Sequence, residues 1–103
     1  MIPPPEHFVW GKVIDLERFP TAIIINELAV CRLVERLDGS WFVQLDYHLP
    51  PPNGRATHPG RDCLTYETGR AGCEVWARRH WDRLLIETAE LSRRRDERLR
   101  GGR

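Results

Sequence analysis

The chain reads as an α+β domain, a three- to four-stranded antiparallel meander packed against one long C-terminal helix. Three observations predict this. Residues 7–48 carry short runs of alternating apolar side chains broken by Pro and Gly, the pattern of strands. Within them Asp38-Gly39 is a strong short-range hairpin signal. From about residue 69 to residue 98 the apolar positions change to the 3,4 spacing of a helical face.

The elements follow in order. Residues 1–6, MIPPPE, form a Pro-rich arm, because three consecutive prolines favour polyproline II and no ladder. Phe8, Trp10, Lys12, Ile14 and Leu16 then share one side of a strand that Pro20 ends. Ile23, Ile24 and Ile25 read as a buried strand. Residues 29–37 pair across the Asp38-Gly39 turn with Trp41, Val43, Leu45 and Tyr47. A two-residue turn there sets Arg36 opposite Trp41 and Val34 opposite Val43. Residues 49–62 are rich in Pro, Gly and Asn and read as a loop, and residues 63–68 add at most a short strand. The helix over 69–98 takes Thr68 as its N-cap and buries Ala77, Trp81, Leu84, Leu85 and Leu91. Gly101-Gly102 stops it, and residues 99–103 are a tail. The sheet is expected to meet the helix with Phe8, Trp10, Ile14, Val34, Val43, Leu45 and Tyr47. Leu33, Leu37 and Phe42 then lie on its second face, a group that suggests a homodimer or a protein partner.

Composition bounds the function. A chain of 103 residues supplies one domain with one core. The net charge of +1 argues against a protein built wholly around a polyanion, although six arginines crowd residues 93–103. Lys12 is the only lysine, and arginine suits planar recognition of carboxylate or phosphate. The plainer account of that bias is a GC-rich genome. Three cysteines, no signal-peptide pattern and no long apolar run point to a cytoplasmic protein with reduced thiols and no membrane span.

No stretch spells a known chemistry. His58, Asp62, Cys63, Cys73 and His80 have ligating side chains, but no close pair of the kind zinc requires, and no metal or other cofactor is expected. Cys63 and His58 could be drawn as a nucleophile and base, yet nothing in the sequence lowers the thiol pKa or holds the imidazole. A non-enzymatic interaction protein is therefore expected: an accessory or inhibitor subunit that occupies a protein surface, suited to a bacterium or its mobile elements. Its partner-binding residues would be Trp76, Arg78, Arg79, Arg83 and Phe42. Trp76 and Trp81 lie five residues apart on a helix, so one of them belongs at an edge or interface. The alternative is nucleic-acid binding through Arg93, Arg94, Arg95, Arg98 and Arg100. Against it, i,i+4 pairs such as Glu74–Arg78, Arg83–Glu87, Glu90–Arg94 and Asp96–Arg100 would make the tail an ordinary solvated helix end.

Overall fold

The computed structural model describes residues 2–51 and 58–101, the side chain of Arg100 excepted. The centre of the expected loop and the Asp96–Arg100 pair lie outside the described residues. Five strands, β1 (Val9–Gly11), β2 (Ala22–Ile25), β3 (Leu28–Glu35), β4 (Trp41–Leu45) and β5 (Gly60–Cys63), precede two helices, α1 (Tyr66–Arg79) and α2 (Trp81–Gly101). The strands form one antiparallel sheet in chain order, and both helices pack against it. The α+β class holds, with five strands rather than three or four and two helices rather than one.

The first strand is shorter than its alternating pattern suggests. After Gly11 the chain wraps around the Glu17 carboxylate, which accepts the Val13 and Ile14 amides at 2.7 and 3.1 Å and the Thr21 hydroxyl at 2.7 Å. A local acceptor thus replaces the ladder. Ile14 and Leu16, expected in the core, are exposed.

Between β2 and β3, Asn26 and Glu27 both hold positive φ (49° and 69°), as a tight primed hairpin turn requires. The next hairpin closes through three residues, not two. Arg36 N–H reaches Ser40 C=O at 2.7 Å, Gly39 N–H reaches Arg36 C=O at 3.0 Å, and Gly39 takes φ 87°. The extra residue shifts the expected register by one. Leu33 pairs with Val43, Val34 with Phe42 and Glu35 with Trp41. A one-residue slip exchanges the two faces. Leu33 is therefore fully buried in the core, and Val34 turns away from the helices. The proposed group of Leu33, Leu37 and Phe42 does not form: Leu37 stands exposed at the hairpin tip and Phe42 lies half-buried under the Arg36 guanidinium, 4.7 Å away. The hint of a dimer drawn from that group goes with it.

The helix begins earlier than expected. Thr65 is the N-cap, its hydroxyl accepting from Thr68 N–H at 3.1 Å, and the Thr68 hydroxyl accepts the Thr65 amide in return. Strand β5 takes residues 60–62, which read as loop, and Cys63, the first residue of the short strand expected over 63–68, whose remainder caps and starts the helix instead. The single expected helix breaks at His80. The sequence gives no sign of the break because the buried positions Gly69, Cys73, Ala77, Trp81, Leu84 and Thr88 keep 3,4 spacing across it. They meet Ile23, Cys31, Leu33, Trp41 and Val43 of the sheet. Trp81 packs edge-on to Phe8 at 6.0 Å. The N-terminal arm closes this end, with Trp81 Nε1 bonded to Ile2 C=O at 3.0 Å.

Gly69 is where α1 comes closest to the sheet. A Cβ built there would overlap Leu33 Cδ2 and lie 2.9 Å from Cys63 Sγ. Gly69→Ala is expected to lower stability by roughly 1–3 kcal/mol, the range for overpacking, in urea unfolding. At the other end, the last buried residue of α2 is Thr88, followed by a Ser92–Asn26 hydrogen bond and an exposed Arg95–Glu27 pair. A chain cut after Leu91 should still unfold cooperatively by heat and chemical denaturant, about 1–2 kcal/mol less stable.

Candidate functional site

α1 crosses β3, β4 and β5 with two adjacent rows of side chains. Gly69, Cys73 and Ala77 form the buried row. Thr68, Gly72 and Trp76, also four apart, form the next row and overhang the sheet edge. Below them Val43, Leu45 and Cys63 make a floor, and Arg61 and Asp62 a rim. The result is a groove of about 170 Å³ between α1 and β5. Trp76 is half-buried, with one side packed on the core and its ring 5.6 Å from that of His80. Gly72 is exposed in mid-helix, and a Cβ there would meet nothing within 4 Å.

β5 is one of the two edge strands, β1 being the other, and its first three residues are exposed. Leu45 N–H bonds Pro59 C=O at 2.7 Å, so Arg61 and Cys63, two and four residues on, turn their backbone groups towards β4. Gly60 and Asp62 direct theirs outwards, where no strand among the described residues pairs with them. The side chains divide the other way. Arg61 and Cys63 share the helix side with Val43 and Trp41, while Asp62 lies on the outer face and takes Arg36 Nη2 at 2.6 Å. Burial, reinforced by Asp62, raises the Cys63 thiol pKa against the opposing effect of Arg36. A hydrogen bond with Cys31, then burial, raises that of Cys73. Neither thiol is disposed to be a thiolate. The His58 Nε2 instead bonds Leu49 C=O at 2.7 Å.

A polar cluster lies elsewhere, where the turn after β4 meets α2. His48, its side chain fully buried, places Nε2 2.7 Å from Glu87 Oε1. Arg83 bonds Glu87 and Asp46, each at 2.9 Å. A carboxylate only accepts, so His48 Nε2 carries the proton, and Nδ1 is buried without a partner among the described residues. Burial raises the Glu87 pKa, but hydrogen bonds from His48 and Arg83 and the Arg83 charge outweigh it, and the carboxyl sits below its ordinary value. Asp46, His48 and Glu87 bring donor atoms within 4.8 Å of one another, the spacing of a metal site. Arg83 already supplies a cation to both carboxylates, so the set is suited to holding α2 on the sheet. It includes none of the five ligating residues singled out in the sequence.

The expected partner-binding residues do not gather. Trp76 walls the groove. Arg78 bonds the carbonyls of Pro5 and Glu6 at 2.8 and 2.7 Å and covers Phe8, so the Glu74–Arg78 pair gives way, and Glu74 accepts from Trp10 Nε1. Arg79 lies exposed beside the prolines of the arm, Arg83 is held in the polar cluster, and Phe42 is on the outer face. In the tail Arg93 pairs with Glu90 and Glu97, Arg94 with Glu90, and Arg95 with Glu27. Arg98 has no ion-pair partner among the described residues. Sequence reading did not find Thr68, Gly72 or Arg61 as site residues. The available signal was a glycine four residues before a tryptophan on a helix, a gap set beside a large ring.

Scans against family models, curated proteins and solved structures return no match for this chain. No described helix is long and apolar enough to cross a membrane.

Glu87 provides a test of the cluster. Its carboxyl pKa is lowered on folding, so its contribution is present above the unfolded value, about 4.3. That contribution is lost as pH falls through the lower folded value. Glu87→Gln should lower stability at pH 7 by roughly 1–2 kcal/mol. It should also flatten the decline between pH 5 and pH 3 in urea titrations. An unchanged acid slope would contradict the assignment.

Proposed function

We propose that the chain is a small non-enzymatic interaction protein that binds a protein partner in the groove between β5 and α1. The observation that carries this reading is Gly72. A glycine inside an exposed helix costs about 1 kcal/mol relative to alanine, and here a side chain would meet no steric obstacle. Its value lies in the space it leaves beside Trp76, at the open edge of the sheet. Tryptophan at the wall of such a space is a common anchor for a partner.

The nucleic-acid reading draws less support. Arg93, Arg94 and Arg95 are engaged with carboxylates, which phosphate would have to displace. No aromatic side chain is interleaved with these arginines for stacking on bases.

A photo-crosslinking amino acid placed at Thr68, beside the groove, is expected to capture one partner in cells that naturally make the protein. The same group at Ala89, on exposed α2, should not. Adding Gly72→Leu should abolish capture from Thr68 while leaving the melting temperature equal or higher, since leucine favours helix. Capture that is indifferent to Gly72→Leu, or equal from both positions, would refute the groove.

A further inference from the structure

We infer that the occupant of the groove is an extended segment of the partner chain. It adds to β5 as a sixth, antiparallel strand and carries an apolar residue two positions before an acidic one. This rests on the groove being the binding site. Three features select that occupant. First, Gly60 and Asp62 offer outward-facing backbone N–H and C=O groups on an exposed edge, which only another extended backbone satisfies in series. Antiparallel addition continues the pairing of the whole sheet and is the slightly more stable mode.

Second, side chains alternate. A residue opposite Asp62 exchanges both hydrogen bonds with it and turns its side chain to the outer face. Its neighbours, opposite Cys63 and Arg61, turn to the helix side. The one opposite Cys63 enters the end of the groove lined by Cys63, Thr68 and Gly69, which suits an aliphatic side chain. The one opposite Arg61 meets a guanidinium that has no ion-pair partner among the described residues. Asp62 carries its carboxylate on the outer face, where Arg36 neutralises it. In antiparallel order the partner therefore reads aliphatic, any residue, then Asp or Glu.

Third, a second copy of this chain fits poorly. Two β5 strands related by a two-fold axis pair each residue with a symmetric one. The central registers place Arg61 against Arg61 or Asp62 against Asp62, and like charges directly opposite are destabilising.

The test uses the full chain and a phage-displayed library of random dodecapeptides, panned in parallel on the Gly72→Leu variant. Enrichment on the unmodified chain alone is expected, with the aliphatic–x–acidic order. In a synthetic hit, N-methylating the middle residue should weaken binding about tenfold or more, because it removes the bond to Asp62 C=O. N-methylating the acidic residue, whose amide points away from β5, should have little effect. Arg61→Glu should reverse the charge preference to Lys or Arg. Hits that need Gly72 but ignore N-methylation would overturn strand addition and leave the groove standing. A reversed acidic–x–aliphatic order would overturn the antiparallel strand. Hits that bind Gly72→Leu equally, or no enrichment over that variant, would overturn the groove itself. A dimer of the free chain broken by Asp62→Lys would make a second copy the occupant and overturn the proposal.

Discussion

The contact of α1 with the sheet at Gly69 governs much of this architecture. The absence of a side chain there lets the helix backbone come down onto Leu33 and Cys63. With Cys73 and Ala77 it makes a row of small residues, so the helix lies close over β3, β4 and β5. The neighbouring row is then carried past the sheet edge at a height that leaves a groove. A larger residue at position 69 would lift the helix and remove both the packing and the groove floor. The capping box at Thr65 and Thr68 starts the helix three residues after β5 ends and so fixes where that row begins.

α2 has a different task. Thr88 accepts from Asn26 Nδ2 at 3.0 Å and Ser92 donates to Asn26 C=O at 2.7 Å, which ties the helix to the turn between β2 and β3. Arg83, Glu87, His48 and Asp46 tie it to the turn after β4. Arg78, Arg83 and Arg95, which could suggest a polyanion-binding surface, are thus occupied in holding helices to the arm or to turns of the sheet, and Arg93 and Arg94 pair within α2. α1 lies over β3, β4 and β5, and α2 over β2 and β3.

The class of the fold was legible because the Asp38-Gly39 turn and the 3,4 stripe of residues 73–88 are strong local signals with physical causes. The details that escaped were decided by small choices. One extra residue in the hairpin exchanged Val34 for Leu33 in the core. The Glu17 carboxylate drew residues 13–14 out of a strand that alternation alone would have extended. The break at His80 left the buried stripe in phase and so left no trace in the periodicity. Among the groove residues, Trp76 alone is marked by the sequence for partner binding, by its angle to Trp81, while Asp62, Cys63 and Cys73 stand out there only as ligating or nucleophilic side chains. The groove depends on β5, whose sequence GRDC carries almost no strand propensity and is a strand because β4 pairs with it. Arginines were read as a surface because a sequence displays charge without its partners.

The strand order has a further consequence, for assembly in time. Every strand pairs with its neighbour in the chain, and tight turns join β2 to β3 and β3 to β4, so the sheet can grow by successive hairpins, a topology that favours rapid folding. Both helices come after all five strands. Until they are made, the apolar face formed by Ile23, Cys31, Leu33 and Val43 has no cover, and a nascent sheet with a bare face is the species most exposed to misassociation. Charges on the last strand, Arg61 and Asp62, stand at the growing edge during that interval, where they oppose symmetric pairing between nascent copies.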